Sequence, residues 1–240
     1  MDPNFPDIHE IWVYLSGSPL LALVLTLTAY QVGVMIYERS GRNPLANPVA
    51  IAVALVAAAI TLIDMPYAKY FEGAQFVHFL LGTATVALAV PIHYGLKDLR
   101  GRVVPLLAAL LAGGATSIVS AVAIARWLGA DAAIVGGLYA KSVTAPIAMG
   151  VAERIHVSPT LTAVFAVTTG ILGAALARFV LDAVGSKAWW QRGVAIGIAA
   201  HGIGTARAFS VSDEAGRYSS LAMGLHGIAG AVLIPMVARW

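Results

Sequence analysis

No cysteine occurs among the 240 residues. That excludes disulfides, a thiolate nucleophile and any cysteine-based metal site. Charge is also scarce: only 11% of residues are Asp, Glu, Lys or Arg, against about 25% in ordinary soluble domains. Away from Asp64 and Glu153, which sit at segment ends, the hydrophobic segments hold no acid. The carboxylate site on which many sodium or proton symporters depend is therefore missing, and cation transport loses ground. There is no Lys/Arg cluster and the net charge is only +3, so a pI near 9.3 reflects loop topology rather than a nucleic-acid partner. The opening "MDPNFPDIHEIW" is acidic, with two prolines. It lacks the basic start and small-residue cleavage site of a signal peptide, so the first hydrophobic segment is expected to stay in the protein. No His or carboxylate stands at helical ligand spacing with His201 or His226, so no metal is expected. No cofactor is expected, and with no nucleophile and base in register an enzyme is not expected either.

Apolar surface dominates instead. Hydrophobic residues make up 59% of the chain and the mean hydropathy is +0.82, which places it in the lipid bilayer. Crossing a hydrocarbon core takes about 20 apolar residues in a helix. Uncharged runs of that order cover Ile11 to Tyr37, Asn43 to Ile63, Gln75 to Leu96, Val103 to Ala125 and His156 to Ala177. Polar, Gly- or Pro-bearing loops at 38–44, 64–73, 97–102, 126–131, 153–159, 182–192 and 210–217 divide the chain into eight segments. The expected fold is an all-α polytopic transmembrane protein of seven or eight hydrophobic segments, forming one integral membrane domain over residues 1–240. Two segments are defective as plain spans. Residues 132–152 are interrupted by Lys141 and Pro146, and Gly193 to Ala206 is glycine-rich and only about 14 residues long, the length of a re-entrant or broken piece. "GTATVALAV" at Gly82 and "GTARAFSV" at Gly204, 122 residues apart, raise a duplication into halves 11–127 and 131–240, an arrangement that secondary transporters use to build a midplane site.

Lys and Arg in the short early loops place the N-terminus on the outer side of the membrane. Arg178, Lys187 and Arg192 then fall on the outer side if every segment crosses, against the same rule. Trp12, Trp127, Trp189, Trp190 and Trp240 stand at span ends, as interfacial anchors do.

Chemistry concentrates in three places. Lys141 near a bilayer centre costs several kcal/mol unless it pairs or meets water. Ser142 and Thr144 offer hydroxyls beside it, and Pro146 breaks the helix and frees carbonyls. A helix restarting there points N–H groups and the positive end of its dipole at the cavity, which favours a carboxylate. The alternative is a lysine that snorkels to the interface. In "AAHGIGTARAF", Gly202 and Gly204 admit close backbone approach and interrupt the helix, Thr205 adds a hydroxyl, and Arg207 offers a planar fork for an anion. The alternative there is small-residue helix packing, with Arg207 at the water boundary. His201 and His226 are either buried neutral rings or a proton relay. Lys141, Ser142, Thr144, His201, Thr205 and Arg207 are thus the expected substrate site for a small organic anion, with Pro146, Gly202 and Gly204 as helix breaks.

The stretches "AKSVTAPIAMGVAE", "LTAVFAVTTGILGA" and "AAHGIGTARAFS…LAMGLHGIAGAVLIP", extended by "NPVAIAVALV" and "GTATVALAVPIHYGLKDL", resemble the LrgB/CidB family of bacterial membrane proteins from about residue 20 onward. The resemblance implies two rival functions. One is a holin-like modulator of murein hydrolase export and autolysis. The other, through the LrgB-like half of the plastid glycolate/glycerate translocator, is transport of pyruvate, glycolate, lactate or other hydroxy acids by alternating access. It also implies a small LrgA-like membrane protein as partner, with a homodimer as a further candidate assembly. The residue pattern sides with transport, since a lesion-forming holin needs no midspan lysine.

Overall fold

The computed structural model describes residues 19–87, 89, 90, 93, 99 and 101–238. The start of the first expected segment, Trp12, Lys97, Arg100 and Trp240 lie outside the described residues. Among the described residues there are nine α-helices and no strand. They are α1 (Pro19–Arg39), α2 (Pro48–Leu62), α3 (Tyr67–Ala87), α4 (Val103–Trp127), α5 (Ala132–Leu138), α6 (Ala145–Arg154), α7 (Pro159–Ala183), α8 (Trp189–Phe209) and α9 (Asp213–Val237). Four of them, α1, α4, α7 and α9, are long and apolar enough to cross a membrane. Two compact units divide the chain at Thr83.

In the first unit, α1 packs against α2. The Asn47 side chain caps α2 by accepting from the amides of Val49 and Ala50. Thr26 on α1 shares a 2.8 Å hydroxyl hydrogen bond with Tyr70 on α3. Helix α3 begins at Tyr67, eight residues before the expected Gln75. Lys69 and Glu72 mark a loop by composition, yet residues 67–72 contain no proline or glycine, and both charged side chains stay exposed on the helix.

The second unit is built from three long helices and two pieces that turn back. Helices α4 and α9 run in the same direction: Arg102 at the start of α4 meets Tyr218, Gly114 meets His226, and Arg126 shares a cavity wall with Val237. Helix α7 runs the opposite way, from Thr162 beside α5 to Asp182, which pairs with Arg192 at the start of α8 at 2.7 Å.

Neither interrupted segment crosses. Helices α5 and α6 are separated by residues 139–144, and Asp131 and Ser158 cap the helices on either side, α5 and α7, by accepting from Ile134 and Leu161 amides. A straight run would put residues 136 and 157 about 30 Å apart. Instead a Cβ added to Gly136 would meet Val157 Cγ1 at 2.5 Å. The pair is a hairpin that enters from the far end, where α4 finishes, and returns to it.

Helix α8 behaves likewise from the near end, where α4 starts. His201 has φ 39° and ψ −132°, a conformation that costs a non-glycine residue of order 1–3 kcal/mol and persists only under constraint. Beyond it the chain reverses: a Cβ on Gly204 would lie 2.8 Å from Ile196 Cγ2, and Trp189, Arg192, Arg207 and Ala208, from both ends of the element, line one small cavity. The expected short piece is thus a 21-residue element folded back at His201, one residue before the glycines expected to break it. Pro146 likewise lies in the first turn of α6, where a missing N–H costs nothing, and the break precedes it.

Trp190 is more than an end anchor. Its ring lies 5.1 Å beneath the Arg102 guanidinium, which donates to the Tyr218 hydroxyl at 2.6 Å and lies 3.7 Å from the half-exposed Glu214. The latch joins α4, α8 and α9. Arg102→Gln is expected to cost about 2 kcal/mol, seen as an earlier melt in detergent, with little of the loss recovered by a Glu214 variant because that pair is solvent-screened.

Candidate functional site

The two hairpin tips meet. A Cβ on Gly202, just past the tip of α8, would lie 3.8 Å from Thr144 Oγ1 at the tip of the α5–α6 hairpin. Backbone without helical hydrogen bonds survives at membrane depth only against protein or water. Here each tip is buttressed by the other and by α4, α7 and α9.

Lys141 is half-buried, and its ammonium donates to Ser117 Oγ on α4 at 2.9 Å. It lines a cavity of about 950 Å³ between α4, α7 and α8 that extends to Pro105, Trp190 and Gln191 near the start of α4. The ammonium is close enough to act electrostatically on both His201 and His226. The next residue faces elsewhere. Ser142 is 2% exposed, its hydroxyl lies 3.3 Å from His226 Nε2 on α9, and both line a second cavity of about 500 Å³ between α4 and α9.

His201 is held from three sides. Its Nε2 lies 2.7 Å from the Ala166 carbonyl of α7, and since a carbonyl can only accept, Nε2 carries the proton and Nδ1 is the basic nitrogen of the neutral ring. Gly170 lets the ring approach α7, because a Cβ there would sit 2.6 Å from Cε1. The His201 carbonyl accepts from Thr205 Oγ1 at 2.7 Å, and that hydroxyl also shares a 2.8 Å bond with Ser219. Thr205 is therefore a brace for the turn, bonded within the protein. Among the described residues, every buried side-chain nitrogen or oxygen has a partner, and no cluster of His, Asp and Glu has the arrangement of a metal site.

The structure thus brings together Lys141, Ser142, Thr144, His201 and His226, with Thr205 behind them. It sets Arg207 apart. That side chain lines the small cavity with Arg178, Asp182 and Arg192 at the near end, because the returning arm of α8 carries it away from the tip. The reading in which Lys141 and Arg207 clasp one carboxylate does not match this arrangement. Ser117 and Ser219 were not expected. Both are hydroxyls on uncharged helical faces, where Ser commonly bonds its own backbone, as Ser120 does to Thr116. Only tertiary packing distinguishes the two cases.

The LrgB-like family profile matches residues 26–240. An uncharacterized protein of Bacillus subtilis, YwbG, is 32% identical over 91% of this chain and 96% of its own length. The holin-like protein CidB of Staphylococcus epidermidis is 28% identical over 91% of this chain and 95% of its own. The antiholin-like protein LrgB of Bacillus mycoides is 25% identical over 91% and 95%. No solved structure matches the chain significantly.

Proposed function

We propose that this chain, which belongs to the LrgB-like family, is a secondary carrier of small monocarboxylates in the bacterial inner membrane, with Lys141 binding the carboxylate. The observation that carries the reading is Lys141 at the meeting point of two opposed re-entrant hairpins, lining a cavity that extends toward the start of α4. A fixed cation there is stabilised by a substrate anion, with the hydroxyls of Ser117, which already bonds the ammonium, and of Thr144 at the same tip for its oxygens. His201 and His226, within electrostatic reach of the lysine, serve as the proton relay.

Seven or eight segments, two of them re-entrant, also fit the distribution of charge. Since each hairpin returns to its own side, Arg102, Arg178, Lys187, Arg192 and Arg217 gather at the near end of the second unit, while Arg126 and Arg154 stand at the far end. The conflict met by counting every segment as a crossing disappears. The near end is then cytoplasmic, with the N-terminus outside. An LrgA-like protein is the proposed partner, and a homodimer the alternative assembly.

The names of the relatives CidB and LrgB, holin-like and antiholin-like, favour a second reading, a modulator of murein hydrolase export. Proteoliposomes separate the two. A carrier takes up labelled pyruvate, lactate or glycolate with saturation and mutual competition, with or without an LrgA-like partner. Nonsaturable leakage of dyes and sugars would sink the carrier reading in favour of the holin-like one.

A further inference from the structure

The two cavities reach consecutive residues from opposite ends of the bundle. On α4 the Lys141 cavity is lined from Pro105 to Ser117 and the second cavity from Leu110 to Arg126. The helix therefore shows its first half to one and its second half to the other, with overlap at its middle turns. Lys141 lines the first, and Ser142 with His226 closes the inner end of the second. Towards the far end the second cavity carries Tyr139 and Arg126, and Arg126 lies close enough to act on Tyr139 electrostatically. A groove merely filled by lipid tails has no need of a buried hydroxyl–imidazole pair at its inner end. Small side chains, Ala115, Ala123 and Ala229 among them, line the space between α4 and α9.

We infer that the α4–α9 cavity is the far-side half of the anion pathway: a second carboxylate station with Arg126 at its outer end, separated from the Lys141 station by the tip residues 141–142 and closed by the Ser142–His226 hydrogen bond. This rests on the carrier reading. An anion on Lys141 reaches the second station when the α5–α6 tip shifts and Ser142 leaves His226. The barrier is thin because a single peptide unit carries one side chain into each cavity. Since His226 sits on α9 and Ser142 on the hairpin, movement of the hairpin against α9 is what opens it.

The absence of cysteine makes the test direct. In the full-length protein, Ala112→Cys reports the first cavity and Ala123→Cys the second, each probed with a membrane-impermeant thiosulfonate added from one face. Ala112→Cys should react from the near face only and Ala123→Cys from the far face only, both more slowly with pyruvate present. Adding Ser142→Ala, or His226→Gln as an independent second variant, should raise far-face labelling of Ala112→Cys by about tenfold, the effect of one lost hydrogen bond. Ala123→Cys unreactive from either face would assign the groove to lipid and overturn the inference. So would both cysteines reacting from one face, or sidedness unchanged by both gate variants. Sidedness is read without transport, so saturable pyruvate uptake beside wrong sidedness sinks only this inference, whereas absent uptake sinks the carrier reading itself.

Discussion

Lys141→Met should lower monocarboxylate binding about 10- to 150-fold, the loss of one charge-assisted hydrogen-bond partner of roughly 1.5 to 3 kcal/mol, while the protein still folds. Folding survives because the side chain is half-buried and its hydrogen-bond partner is a single neutral hydroxyl, Ser117 at 2.9 Å. No acid is left stranded. Methionine is unbranched and fills the same stem, and Ser117 can turn to an α4 carbonyl, as Ser120 does. Ser117→Ala leaves the charge in place and should weaken binding only a few-fold. Binding is read by isothermal titration with pyruvate, and folding by a single size-exclusion peak in detergent. A Lys141→Met protein that binds as tightly as the parent removes Lys141 from the site. One that aggregates makes the lysine a structural member of the tip.

That contrast shows how much was legible in the sequence. The all-helical membrane character followed from apolar run length, and the two defective segments followed from one lysine, one proline and a cluster of glycines. The exact break points did not. Proline and glycine mark where a helix can end, but the residue that takes the strained backbone is the one its neighbours can hold. His201 is that residue, because Ala166, Thr205 and the open side of Gly170 fix it. Nor could run length tell a crossing from a return. A 12-residue arm and its partner present the same hydrophobicity whether they continue or fold back, and direction is decided by contacts such as Gly136 with Val157. Arg207 stands away from the central residues for this reason, since six residues past a sharp turn the chain is already heading out.

Gly197→Ala should be the most damaging single methyl group in the second unit, at about 3 kcal/mol, the upper end of the overpacking range. On the first arm of α8, a Cβ at position 197 would press on the Ser219 carbonyl and lie 3.0 Å from the Met223 amide nitrogen of α9. These are backbone atoms of a packed helix, which no rotamer change can move aside, so the arm itself must withdraw from α9. Small residues at such contacts let helices approach within a membrane, where dispersion and hydrogen bonding replace the hydrophobic effect as the cause of association. The same substitution at Gly150, on α6, meets nothing within 4 Å. There alanine gains roughly 0.8–1 kcal/mol of helix propensity, so Gly150→Ala should melt later than the parent and Gly197→Ala earlier. Withdrawal of the arm also carries His201 away from Ala166 and Thr205 from Ser219, so pyruvate affinity should fall together with stability in Gly197→Ala and stay unchanged in Gly150→Ala. If both variants melt alike, the close packing of α8 on α9 is not what holds the His201 tip at the site.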